Sequence, residues 1–140
     1  MRQPPAASDP ETGTFQGRSI ARRFVSPDGY TVLVGKAAVD NDTLTFKLGA
    51  PRDFWLHVAA ESGSHVIVRN PEGVSRLPRE TLRFAAALAA GYSKARSGGR
   101  VAVHACTCAD VHKPRGYPPG MVTLDRFEIV QVTPSRGPET

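Results

Sequence analysis

No stretch of this sequence is apolar over the roughly 18 to 20 residues that a membrane span requires. The most hydrophobic run, Ala85 to Ala90, is short and small-sided, so no membrane association is expected. The first residues, Met1 to Glu11, hold acids and prolines where a secretory leader needs an apolar centre. Cysteine is scarce as well. Cys106 and Cys108 stand one residue apart, too close on one strand to close a disulfide without distorting it. Both features predict a reducing, cytoplasmic setting.

Other absences exclude chemistry. There is no GxxxxGK[ST] and no GxGxxG between a strand and a helix, so the backbone cradle that nucleotide-dependent enzymes use is missing. His104, Cys106 and Cys108 share a strand face with His112 close behind. They lack the Cys-x2-Cys knuckle that aims two thiolates at one zinc ion, and they read as small core side chains. No metal and no cofactor are expected. Ser93-Lys94 is a dipeptide in a helix, with no local reason for a nucleophile's lowered pKa.

What the sequence does carry is positive charge. Its 18 Lys and Arg exceed 13 Asp and Glu, for a net charge of +5 and a pI near 9.7, which favours a polyanionic partner. Most of the basic residues are arginine, suited to bidentate phosphate contacts. The 140 residues amount to one domain with one modest core.

Patterning predicts an α+β fold: a single compact domain over residues 18–133, with a mainly antiparallel or mixed sheet, one long helix and one short one. Flexible tails are expected over 1–17 and 134–140, where Pro, Gly, Ser and acids dominate. Arg22 to Ser26 and Tyr30 to Val34 flank Pro27-Asp28-Gly29 as a hairpin. Lys36 to Gly49 reads as the short helix, with Leu44 and Leu48 one turn apart and Gly49 as its stop. Asp53 to Ala59 and His65 to Arg69 read as strands. The long helix starts at Pro78, repeats apolar residues at Leu82, Ala85, Ala86, Ala89 and Tyr92, and is expected to run to Ser97-Gly98-Gly99. Arg100 to Thr107 alternates as a strand, Pro114 to Gly120 is a loop, and Met121 to Leu124 with Phe127 to Val132 reads as a final hairpin.

Two groups of residues carry candidate function. Asp53, Trp55 and His57 fall on one face of a strand, and His65 approaches them if the two strands pair. Trp55 reads either as core or as an aromatic platform, a role Tyr117 could share. Asp53, His57 and His65 read either as a hydrogen-bonded structural group or as general acid, general base and orienting carboxylate. The second group is basic: Arg79 and Arg83 share the exposed side of the long helix, Lys94 and Arg96 mark its far end, and Lys113 and Arg115 flank Pro114. Such spacing tracks a phosphate backbone or is a solvated helix face.

Several motifs together resemble one family. Arg23-Phe-x-Ser26-x-Asp28-Gly29-Tyr30, Val34-Gly35-Lys36, Asn41-Asp42-x-Leu44-Thr45 and Asp53-x-Trp55-x-His57 come first. Gly63-Ser64-His65-Val66, Ala89-x-x-Tyr92-Ser93-Lys94 and Val111-x-Lys113-Pro114-x-Gly116-x-x-Pro119-Gly120 follow. In this order they resemble the NFACT-R domain over roughly residues 20 to 133, in what looks like its small stand-alone form. The resemblance implies a non-catalytic RNA-binding domain, with tRNA or ribosomal RNA as partner and the large ribosomal subunit as setting. It marks Asp53, Trp55, His57, Ser64, His65, Ser93, Lys94, Lys113 and Gly120 as characteristic positions. With Arg79, Arg83, Arg96 and Arg115, all but Gly120 form the expected nucleic-acid-binding set. Two rivals stand beside this reading: a metal-independent RNA-processing or phosphoester enzyme using His57 and His65, and a ribosome-associated protein-interaction module.

Overall fold

The computed structural model describes residues 7–139. In chain order its elements are β1 (Thr14–Phe15), β2 (Arg18–Ser19), β3 (Ala21–Val25), β4 (Thr31–Gly35) and α1 (Ala38–Thr43), which runs into a π-helical turn, Leu44–Leu48. After them come β5 (Phe54–Val58), β6 (Val66–Val68), α2 (Arg79–Gly91), β7 (Val101–Thr107), a 3-10 turn (Cys108–Asp110), β8 (Val111–His112), β9 (Thr123–Leu124) and β10 (Glu128–Val132). Six strands form one sheet in the order β10-β7-β5-β6-β4-β3, every pair antiparallel. The class is α+β with one long and one short helix, as patterning predicts.

The sheet's central strands are apolar on both faces because both are covered. Val32, Leu33 and Val34 of β4 are all fully buried, as are Val66, Ile67 and Val68 of β6. On one face lies α2, whose Ala85, Ala86, Ala89 and Ala90 let the helix backbone come close to Val34, Leu56, Val66 and Val103. On the other face Leu44, Leu48, Ile20 and Val111 close over Leu33, Trp55 and Ile67. Apolar burial of this kind contributes about 25 cal/mol per Å².

The β3–β4 hairpin forms where Pro27-Asp28-Gly29 places it, with Gly29 at φ +87°. The Ser26 hydroxyl accepts the Tyr30 N–H at 3.1 Å and meets the Thr81 hydroxyl at 2.8 Å, and Thr81 donates to Asp28 at 2.7 Å. That relay pins the start of α2 to the hairpin turn.

Four expectations need correction. Within 1–17, the described residues 7–17 are not a tail. Gly13 is buried at φ +73° against Ala21, its carbonyl accepts the Ile20 N–H at 2.9 Å, β1 pairs with β2, and Glu11 bonds Arg69. Residues 1–6 lie outside the described range. The C-terminal segment is irregular but docked: the Ser135 N–H donates to the Ala87 carbonyl at 3.0 Å and the Tyr92 hydroxyl to the Arg136 carbonyl at 3.1 Å.

The long helix ends at Gly91, not near Ser97, because the Ser93 hydroxyl turns back to the Ala90 carbonyl at 2.7 Å and Ser93 bridges to Gly63. Sequence periodicity could not reveal that competing tertiary partner. The closing segments do not pair with each other either: β9 pairs with β8, and β10 joins the main sheet beside β7.

A Cβ at Gly91 would stand 1.9 Å from the Ser135 carbonyl oxygen. Gly91→Ala is therefore expected to expel the C-terminal segment while the sheet stays folded. Amide exchange would show it as loss of protection at Ser135 with the β5 and β6 amides still slow.

Candidate nucleic-acid interface

Pairing of β5 with β6 and β7 brings three rings together. Trp55 and His57 stand parallel at 5.8 Å between centroids. His65 meets Trp55 edge-on at 5.1 Å and His57 at 5.6 Å. Sequence spacing foresaw this meeting; burial decides what it does. Trp55 is 1% exposed and His65 0%, so neither offers a face to a ligand, and the platform role for Trp55 is corrected to core.

His65 is a structural hub. Its Nδ1 lies 2.8 Å from the Thr45 hydroxyl and its Nε2 2.9 Å from the Gly120 carbonyl. Because a carbonyl only accepts, Nε2 carries the hydrogen and Nδ1 accepts from Thr45, which fixes the neutral tautomer. The His65 backbone N–H donates to Asn41 Oδ1 at 3.0 Å. Burial lowers the His65 pKa to about 4, against a smaller opposing effect of the Gly120 carbonyl. The π-helical turn has a local consequence here: Thr45 faces His65 while Leu44 and Leu48 both stay in the core.

Asp53 is also committed inward. Its carboxylate is 1% exposed and accepts the N–H groups of Ala50 and Asn70, each at 2.9 Å, as well as the Arg69 guanidinium. Ser64 donates to the Gly35 carbonyl at 2.7 Å, and Ser93 closes the end of α2. Lys113 is bonded to Asp42 at 3.1 Å and to the Met121 carbonyl at 2.8 Å, with the Pro118 carbonyl as a further partner. Asp42 in turn accepts the Gly120 N–H at 3.1 Å. Lys113 thus braces the loop that delivers Gly120 to His65.

The remaining site residues face solvent and fall into two groups. Arg79 and Arg83 are exposed on the first turns of α2, at the end pinned to the hairpin. Lys94 and Arg96 lie past its other end, roughly 20 Å away at 1.5 Å per residue, where the Lys94 N–H donates to the Ser62 carbonyl at 2.9 Å. Arg115 is exposed on the Gly120 loop. A groove of about 760 Å³ between Phe54, Leu77 and Leu82 is rimmed by Arg76, Arg79 and Arg126 and lies away from the ring cluster.

Three residues outside the expected set matter to this surface. Lys36 sits at the corner after β4, bonded to Ser19 Oγ at 3.0 Å. His104 is the register partner of His57, and Phe127 lies 4.2 Å from its ring. Only strand register could show the latter two.

Burial pushes the Cys106 thiol up to about 12, assisted by Asp110, and drives Cys108 higher still. Both stay protonated, as poor ligands and poor nucleophiles. No helix among the described residues is long and apolar enough to cross a membrane.

The family described as NFACT protein RNA binding domain matches residues 21–125. This chain belongs to that family. It is 38% identical over 115 residues to the Rqc2 homolog RqcH of Bacillus subtilis, and 33% identical over 72 residues to the ribosome quality control complex subunit NEMF homolog of Drosophila melanogaster. These stretches cover 82% and 51% of this chain but 20% and 7% of those proteins. The C-terminal part of the fibronectin/fibrinogen-binding protein of Streptococcus suis superposes with a TM-score of 0.78 at 36% identity, covering 84% of this chain and 47% of that one. The chain spans about a fifth of the length of its bacterial relatives.

Because the folded His65 pKa lies near 4 and the free value is 6.5, the unfolded chain binds the extra proton between them. Stability is then full above pH 6.5 and falls by up to about 1.4 kcal/mol per pH unit toward pH 4. His57 and His104, both lowered chiefly by burial, add in the same direction. Urea unfolding from pH 4 to 8 should give a shallower pH slope for His65→Gln than for the native chain, on top of lower stability throughout.

Proposed function

We propose that this domain binds structured RNA, tRNA or ribosomal RNA, through the rim where Lys36, Lys94, Arg96, Arg100 and Arg115 emerge. The observation that carries the reading is how charge is paired there. The nearby acids Asp40 and Asp42 are taken up by Arg18 and Lys113. Among the described residues none of the five rim cations makes an ion pair. Three segments joined by hydrogen bonds carry the rim: the β4–α1 corner, the turn after α2 and the Gly120 loop. Unpaired cations on a rigid frame attract phosphates and release counterions.

The relatives' names, Rqc2 homolog and ribosome quality control complex subunit, support a setting in ribosome quality control, and within it we place the domain on the large ribosomal subunit in the cytoplasm. Membership of an RNA-binding family supports binding over catalysis. An RNA-cleaving site on His57 and His65 fits poorly. His65 is fully buried with both ring nitrogens bonded, so it cannot take a proton from a substrate.

Filter binding of tRNA across salt concentrations tests the proposal. Affinity should fall steeply with salt, and Lys94→Ala with Arg96→Ala should flatten the log–log slope by roughly 1 to 2, since each phosphate contact contributes about 0.7 to 0.9. Their melting temperature should barely change, because both side chains are exposed. A slope indifferent to these substitutions overturns the rim, and cleaved tRNA in metal-free buffer overturns the non-catalytic reading. Association with ribosomes that survives nuclease would favour a protein-docking role.

In contrast, Lys113→Ala should act through the fold. Losing its bonds to Asp42 and two carbonyls is expected to cost about 1 to 3 kcal/mol and to loosen the Gly120 loop, seen as faster amide exchange at Gly120.

A further inference from the structure

The sheet face opposite α2 is covered unevenly. Over β4, β6 and the start of β5 it lies under the π-helical turn and the Val111–Leu124 segment. Over β7 and β10 it is open among the described residues. His57 and His104 are register partners on neighbouring strands, and Ile129 partners His104 from the other side. The Phe127 ring lies 4.2 Å from the His104 ring at a 38° tilt. Phe127 and Ile129 are 47% and 58% exposed, large values for apolar side chains on a sheet.

We infer that this strip of His57, His104, Phe127 and Ile129 is a stacking platform for an unpaired nucleobase of the RNA, an inference that rests on the RNA-binding reading above. Three observations favour that occupant. The His57 ring is held in orientation by its neighbours, parallel to buried Trp55 and edge-on to His65, so little side-chain freedom is lost when a base stacks on it. Burial favours the neutral form of both His57 and His104; backbone at Val58 and Gly63 already bonds the His57 ring, so His57 offers its ring face and His104 the donor and acceptor of a neutral imidazole. Finally, cations flank the strip: the Arg100 guanidinium donates to the Gln131 carbonyl at 3.2 Å, and Lys94 and Arg96 lie at the same end, beyond the strand that carries His57. Rings for bases beside cations for phosphates are what single-stranded recognition requires.

The test compares two RNAs with equal phosphate number, a blunt duplex and a hairpin whose unpaired loop carries 2-aminopurine. Wild-type protein should prefer the hairpin by about 5-fold to 100-fold and quench the probe by stacking. Phe127→Ala and His104→Ala, at positions outside the buried core, should each erode that preference and the quenching, with folding checked by thermal melting. If both variants bind and quench like wild type while Lys94→Ala weakens both RNAs, the platform is overturned and the rim stands. The strip would then serve another occupant, such as a strand added at the β10 edge. If wild-type protein binds neither RNA, the RNA-binding reading fails and the platform fails with it.

Discussion

His65 ties four segments of the chain to one point inside the protein. Its ring bonds the π-helical turn through Thr45 and the long loop through Gly120, its backbone bonds α1 through Asn41, and its strand lies in the sheet. An imidazole is well suited to this position, since it can donate on one side and accept on the other while staying uncharged. Each of these partners would otherwise be a buried polar group without a bond, at roughly 1 to 3 kcal/mol apiece. The corner, the loop and the turn after α2 owe their mutual placement to this hub and to the short bonds around it.

That arrangement changes the meaning of the family's motif residues. Asp53, Ser64, His65, Ser93 and Lys113 are spent on holding backbone, and Trp55 fills the core beside them: Asp53 gathers Ala50, Asn70 and Arg69, Ser64 holds Gly35, and Lys113 clamps the Gly120 loop onto Asp42. Their chemistry looked like recognition because polar and aromatic groups at strand spacing are unusual. Exposed cations sit on three chain segments that hydrogen bonds join around this frame, while Arg79 and Arg83 stand apart at the start of α2. In this domain the motif builds the frame, and the rim is the surface proposed for the partner.

How much was legible follows the range of the interactions. The β3–β4 hairpin was plain because Pro27, Asp28 and Gly29 set the turn locally. So was the start of α2, where Pro78 and the alanine face agree. The end of α2 was misplaced by several residues, since Lys94, Arg96 and Gly98 resemble a helix terminus while the actual stop is Ser93's bridge to Gly63, thirty positions away in the chain. Residues 7–17 resemble a tail in sequence because no apolar period marks them; their order comes from turn bonds around Asp9 and from long-range contacts to Ala21, Arg23 and Arg69.

The sequence by itself determined the class of the fold, the pairing-prone strands, the excess of positive charge and the family, all properties of local pattern or of motif order. Only the tertiary structure decided which polar residues are buried and which are free. Exposure depends on what packs above a side chain, and strand register sets Trp55 beneath covering loops while leaving His57 beside His104 and Phe127 at the open edge. A period-2 pattern places Trp55 and His57 on one face, but the face has a covered half and an uncovered half, and long-range contacts draw the line between them.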